Sequence, residues 1–268
     1  MLSSIDQMGF TINLEHSPER IISLVPSQTE LLADLGLSSR IAGITRFCVY
    51  PPEVHISVPR VGGTKSIDIE RIEAIKPDLI IANKEENTKE IIELLRLKYQ
   101  VWVSDISNME EACDMIFHIG QLTGTANVAT QIIEDINKRF EKLQKETHKN
   151  SSLRALYFIW RKPYMAVAGN TFIHDMMSRC GFDNALYYET RYPELSREKI
   201  RKLNPEVILL SSEPYPFSRK HIEEFREICP HARIILVDGE YFSWYGSRMR
   251  LASDYFSALH HDVFNVAE

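Results

Sequence analysis

A twelve-residue block occurs twice in this chain of 268 residues. The run from Glu70 to Ile81 (ERIEAIKPDLII) aligns without a gap on Glu198 to Leu209 (EKIRKLNPEVIL). Each copy reads as helical turns that stop before a proline, Pro77 or Pro205, followed by an apolar strand. Helices commonly stop there because the residue before proline is pushed out of the α region. One such match could reflect helix–proline–strand grammar alone. A second pair in the same order, Val101–Asp105 and Ile234–Asp238, makes duplication the better explanation. The chain is therefore expected to build one plan twice.

That plan is an alternation of strands and helices. Strands are expected at 20–25, 41–45, 79–82 and 101–103, and again at 154–160, 207–210 and 234–237. A hairpin or edge strand is expected at Phe10–Leu14. Most of these strands are near-continuous apolar runs, the pattern of parallel strands covered by helices on both faces. A helix over about 28–35 is expected to have Ser27 as its N-cap, with Glu30 completing a capping box. Between the two copies lies Thr123–His148. Ala129, Ile132, Ile133, Ile136, Phe140 and Leu143 form one apolar stripe, and Glu134, Asp135, Lys138, Arg139, Glu141, Lys142 and Lys145 fill the other face, so a long amphipathic helix is expected. The fold class is α/β: two Rossmann-like lobes with parallel sheets joined by one long backbone helix. The N-terminal lobe covers 1–122, the connecting helix 123–150 and the C-terminal lobe 151–268, with the polar run His148–Ser152 after the helix. Ligands of such lobes bind beyond the carboxyl ends of the strands, so a cleft between the lobes is the default site.

Composition narrows the function classes. Hydrophobic residues make up 44% and charged residues 25%, as in soluble globular proteins. A net charge of −6 with no basic patch argues against a nucleic-acid partner. Cys48, Cys113, Cys180 and Cys229 are scattered, with no CxxC pair, which suggests neither a zinc site nor a disulfide framework. No apolar run reaches the ~20 residues of a membrane span. The histidines form neither an HxH nor an HExxH pair, leaving Cys48 and His174 as weak metal-ligand candidates. Gly62-Gly63-Thr64-Lys65 lacks phosphate-loop spacing, and no GxSxG elbow accompanies Ser27, Ser211 or Ser212. No enzyme is expected.

Five stretches carry a family resemblance: RIISLVPSQTE (20–30), YPPE (50–53), IERIEAIKPDLIIA (69–82), AGNTFIHDMMSRCGFDN (168–184) and ELSREKIRKLNPEVILL (194–210). In this order and spacing they resemble the substrate-binding proteins of ABC importers for cobalamin and iron chelates, whose two lobes share a single backbone helix. Within that group the chain is most similar to the cobalamin-binding branch. The resemblance implies a monomeric binding protein with no tightly bound cofactor, whose ligand is a corrinoid. An iron–siderophore, haem or metal-ion ligand is the alternative within binding. A cytoplasmic protein that handles or senses corrinoids is the alternative of another class.

The same resemblance implies the site. Tyr50, Tyr192 and Phe242 stand at positions of ligand-facing aromatics, and rigid rings suit a broad apolar disc. Ser27, Thr64, Lys65, Asn83 and Trp244 complete the candidate ligand-binding set. Thr64 and Asn83 stand where the branch carries large aromatics, which implies a wider or more polar cleft. Glu70 and Glu198, equivalent in the repeat, are implied to dock on arginines of an ABC permease. The family is periplasmic after removal of an export signal. Met1–Gln7 has neither a basic nor an apolar signal region, so the chain as written is expected to be cytoplasmic.

Overall fold

The computed structural model describes residues 2–148 and 152–264. The expected lobe boundary at 150/151, and Lys149–Ser151 of the polar run, lie outside the described residues. The chain divides into two compact units. The first comprises Met1–Ile106, Glu110–Ile136 and Trp244–Arg248; the second comprises Ser107–Met109, Asn137–Ser243 and Met249–Glu268.

The first unit opens with an antiparallel hairpin of β1 (Leu2–Ile5) and β2 (Thr11–Leu14). There follow β3 (Ile21–Ser23), α1 (Pro26–Asp34), β4 (Ile41–Ile44), α2 (Pro52–Ser57), the short pair β5 (Gly62–Gly63) and β6 (Ser66–Ile67), and α3 (Ile69–Ile75). Then come β7 (Leu79–Asn83), α4 (Lys89–Arg96), β8 (Val101–Ser104) and α5 (Met109–Thr123), whose first residue lies in the second unit. The main sheet runs β4-β3-β7-β8 and is wholly parallel. Ile22, Leu24, Ile80, Ala82, Val101 and Val103 from its strands pack with Ile72 of α3 and Ile92 and Leu95 of α4. These cover one face of the sheet; Ile21, Leu79, Ile81 and Trp102 on the other face are buried too, the apolar-on-both-faces pattern that parallel strands require.

Helix α1 differs from the expected start. It begins at Pro26, with Val25 as an N-cap that makes no side-chain cap hydrogen bond. Pro26 sits in the first turn, where its fixed φ suits a helix and its missing N–H costs nothing. Ser27 is therefore inside the helix, and Glu30 is released from the expected capping box. At four other helix starts Asp68, Thr88, Thr171 and Ser196 do cap, each accepting from the backbone N–H three residues on.

The long helix α6 spans Ala126–Thr147. It starts later than Thr123 because Gly124, at φ +74°, turns the chain after α5; the left-handed region costs glycine no Cβ strain. Ala129, Ile132 and Ile136 are buried in the first unit, Phe140 and Leu143 in the second. The division into units thus falls inside this helix, between Ile136 and Asn137.

The second unit holds β9 (Leu153–Trp160), β10 (Tyr164–Ala166), α7 (Phe172–Arg179), β11 (Phe182–Asn184), β12 (Glu194–Leu195), α8 (Arg197–Leu203), β13 (Val207–Ser211), α9 (Ile222–Ile228), β14 (Arg233–Val237), α10 (Gly239–Ser243) and α11 (Met249–Phe264). Its sheet runs β12-β10-β9-β13-β14, with β11 also paired to β9. β9, β13 and β14 are parallel, as expected, and the three-residue β11, not expected as a strand, pairs parallel with β9. β10 and β12 add two antiparallel strands that pattern reading did not find. Both are only two or three residues long, too short for a period to register.

The sequence repeat is also a repeat of hydrogen bonds. Both short helices end on a left-handed residue before the proline, Lys76 at φ +54° and Asn204 at φ +48°. The acid after each proline then latches the arginine that opens the neighbouring strand. Asp78 Oδ2 accepts from the Arg20 backbone N–H at 2.8 Å, and Glu206 Oε2 from the Arg154 N–H at 2.8 Å. In return the Asp78 and Glu206 N–H groups donate to the Arg20 and Arg154 carbonyls at 2.9 and 2.8 Å. Each arginine Nε donates to the end of the preceding helix, Arg20 to Lys76 O at 2.7 Å and Arg154 to Leu203 O at 3.0 Å. Helix–proline–strand grammar does not require this arginine–acid latch, so its recurrence supports duplication.

Candidate functional site

The carboxyl ends of the first unit's four parallel strands carry a buried polar layer. Gln28 Nε2 donates to Ser104 Oγ at 2.6 Å, and Thr29 Oγ1 lies 2.8 Å from Ser23 Oγ. Asn83, 2% exposed, has its amide fully used: Oδ1 accepts from Glu85 and Glu86 N–H, while Nδ2 donates to Ser104. Asn87 adds a bond from Nδ2 to Thr64 O at 2.8 Å. The physical reason for polar residues here is the loop backbone, whose N–H and C=O groups need partners once buried. Asn83, Thr64 and Ser27 therefore lie at the strand ends as expected, but each is buried. Asn83 holds the 83–87 loop in shape.

Cys48 belongs to the same layer. It is fully buried, with Thr29 Oγ1 at 3.1 Å and Thr45 Oγ1 at 3.2 Å from Sγ. Burial pushes its thiol up, which keeps it protonated and a poor metal ligand. Beside this layer, burial also pushes the Glu86 carboxyl up, against Lys65 and Thr64, which pull it down. Lys65 is exposed.

Above the layer, two aromatics meet at an edge. Tyr50 and Trp244 have ring centroids 5.9 Å apart in a T-shaped arrangement. Tyr50 is 38% exposed and Trp244 is 8% exposed. The Arg248 guanidinium lies 4.4 Å from both ring centroids. It is held by a two-pronged ion pair with Glu30, Nε to Oε2 and Nη2 to Oε1, both at 2.8 Å. Such a fork fixes the guanidinium plane as well as its place. The family resemblance implied both aromatics, whereas Glu30 was expected in a capping box. Nothing in the sequence marks two residues 218 positions apart as a pair. Phe47, 50% exposed, with the Arg46 guanidinium 5.2 Å over its ring, is a further aromatic of the same loop.

In the second unit the expected aromatics divide. Phe242 has no exposed surface; its ring packs 5.0 Å from Tyr157 and 4.6 Å from Phe256. It is a core residue where a ligand-facing aromatic was expected, because α10 folds its apolar face inward. Tyr192 is half-buried. Exposed rings there include Tyr187 at 56% and Tyr188 at 94%, on the loop that leaves β11, besides Trp160 at 39%. The signal for Tyr187 and Tyr188 was the tyrosine doublet that follows the matched stretch 168–184 after two residues. This loop closes over Gly169, where an added Cβ would lie 2.2 Å from Tyr187 O. Gly169→Ala is expected to push the loop outward and to lower Tm by about 3–6 °C, read by thermal unfolding.

His174 on α7 is half-buried, 5.4 Å from the Tyr187 ring, with Nδ1 3.3 Å from Asn184 Nδ2. Burial lowers its pKa, against Asp175 and Asp183, which raise it. Burial, then Arg161 and Lys220, also lower that of His221. Both histidines bind protons less readily folded than unfolded. Stability then rises with pH up to about 6.5 and is lost below it. Urea unfolding of the wild type is expected to show a lower midpoint at pH 5.5 than at 7.5. In His174→Gln the gap should narrow; an unchanged gap would remove His174 from the account. Among the described residues no three His, Cys, Asp or Glu side chains converge on a metal position.

Glu70 and Glu198 are both exposed, each at the second position of its helix. Among the described residues neither has an ion-pair partner, so both carboxylates are open to solvent. Among the described residues no helix is long and apolar enough to cross a membrane.

The profile of the periplasmic binding protein family matches residues 21–227. A vitamin B12-binding protein of Vibrio cholerae serotype O1 is 30% identical over 195 residues, 72% of this chain and 70% of the relative. The crystal structure of a periplasmic vitamin B12 binding protein of Vibrio cholerae matches with a TM-score of 0.80 at 24% identity, covering 92% of this chain and 98% of that one. An apo periplasmic heme-binding protein from Roseiflexus sp. RS-1 matches equally in fold, with a TM-score of 0.80 at 20% identity over 91% and 98% of the two chains. With this profile over most of its length and a relative at that identity, the chain belongs to the periplasmic binding protein family.

Proposed function

We propose that this protein is the substrate-binding component of an ABC importer and that its ligand is a corrinoid. The observation that carries this reading is the aromatic corner of Tyr50 and Trp244, fixed by Arg248 and Glu30 above the strand ends of the first unit. A preorganised ring edge buries a broad apolar face at low entropic cost. The curated relative's vitamin B12 binding supports the same ligand class. Tyr50, Trp244 and Lys65 are the first-unit contacts, with Ser27, Thr64 and Asn83 supporting them from beneath. The protein acts as a monomer outside the membrane, and it binds without transforming its ligand.

Calorimetric titration with cyanocobalamin tests the reading, with haem as the competing ligand. Tight binding of cyanocobalamin is the expected result. Binding of haem alone would replace the corrinoid by a porphyrin, and heat from neither would overturn the reading.

Glu70 and Glu198 are proposed to dock on cationic side chains of the permease. Two exposed carboxylates at matched positions of duplicated helices suit two matched halves of a transporter. Glu70→Ala combined with Glu198→Ala is expected to abolish uptake in cells and to leave the titration unchanged. Undiminished uptake would remove the docking role.

A further inference from the structure

The pair behind the aromatic corner has a second consequence, which rests on the corrinoid reading above. We infer that Glu30 sets ligand selectivity, by cancelling the Arg248 charge so that the corner accepts a neutral ligand rim and does not favour a carboxylate.

The argument starts from where the charge sits. The Arg248 side chain is 8% exposed and Glu30 is 16% exposed. Charges so placed are screened far less than surface ones. The guanidinium lies 4.4 Å from the centroids of both Tyr50 and Trp244, so a ligand seated on those rings is within reach of its field. Unopposed, that cation would attract any acid group on the ligand. Opposed by a carboxylate at 2.8 Å on two prongs, it presents a dipole. Two other cations of this unit also stand near carboxylates: Lys84 pairs with Asp105 at 2.5 Å, and Lys65 acts on Glu86. Arg46, over the Phe47 ring, is exposed and screened by water.

This charge balance matches a particular periphery. A corrin ring carries its side chains as neutral amides, whereas a porphyrin such as haem carries two propionates. The corner therefore distinguishes amide from acid at the rim, a distinction that aromatic stacking cannot make.

Two single variants test this with opposite expected signs. Wild type, Glu30→Gln and Arg248→Gln are each titrated at low salt with cyanocobalamin and with its monocarboxylate, made by hydrolysing one peripheral amide. Glu30→Gln leaves the cation and is expected to shift the affinity ratio about tenfold towards the carboxylate. Arg248→Gln leaves the anion and is expected to shift it about tenfold the other way. Either variant alone decides the matter if the other does not fold. A ratio within twofold of wild type in a folded variant, or shifts of the same sign in both, would overturn the selectivity role while leaving the corrinoid reading intact. A wild type that binds neither compound would overturn both.

Discussion

Replacing Asp6 by alanine is expected to lower the unfolding free energy by about 3–5 kcal/mol, among the largest single-residue losses in this protein. The Asp6 side chain is fully buried and serves four donors at once. Oδ1 accepts from Met8 N–H at 3.0 Å and Phe10 N–H at 2.8 Å, which shapes the turn between β1 and β2. Oδ2 accepts from Val103 N–H at 3.2 Å and from the Arg96 guanidinium. That guanidinium lies 3.6 Å from the Phe10 ring centroid. One carboxylate thus ties the hairpin to β8 and α4. Without it, buried N–H groups lose their acceptor and a part-buried cation loses its counter-ion, and leaving such groups unpaired is what costs most. Asp6→Asn keeps the size and one carbonyl acceptor and is expected to cost about half as much. Urea unfolding measures both. A loss under about 1 kcal/mol for Asp6→Ala would mean that the hairpin releases without disturbing the unit.

Asp6 also marks what a sequence can disclose. FTINL announced an edge strand, and β2 occupies Thr11–Leu14 with β1 beside it. Nothing in the local pattern announced that an acid in the preceding turn would meet Arg96, ninety positions on. The same division runs through the whole chain. Period and punctuation made most of the parallel strands and the long helix legible, because these depend on neighbours within one or two turns. The duplication was legible because it repeats a local pattern. The two short antiparallel strands and α10 were not, since they are fixed by the sheet and core they join. The α1 cap was misread for a related reason: Ser27 is a good capping residue, but Pro26 at the first helical turn determined the start.

At the candidate site, residue type was legible and orientation was not. Tyr50 and Trp244 lie together with Tyr50 partly exposed, while Phe242, in the same final stretch as Trp244, is core. Residues 242 and 244 are separated by the end of α10, and that turn sends one ring into the second unit's core and leaves the other in the first unit. A resemblance that places an aromatic at a position does not say which way the backbone there has turned. Asn83 makes the same point for polar residues, since its four hydrogen bonds all go to the protein.

Tyr50→Ala is therefore expected to be the variant that most weakens ligand binding, by about 30- to 100-fold. Of the two rings at the corner, Tyr50 offers more surface, at 38% exposed. Its truncation removes a rigid wall and also uncovers Trp244 and the Arg248 guanidinium behind it. The loss should not reach stability, because the ring already faces solvent and few core contacts depend on it. Trp244→Ala is a poorer test, since a ring 8% exposed also supports the fold and its removal costs core packing. Tyr50→Phe separates ring from hydroxyl. If the corner works as an apolar wall, Phe keeps affinity within about threefold of wild type, and the alanine variant alone is weak. If Phe loses as much as Ala, the phenol oxygen rather than the ring face carries the contact, and the ligand must then present a hydrogen-bonding group or a metal to Tyr50. Titration of the three proteins with cyanocobalamin, alongside their urea midpoints, decides between these outcomes.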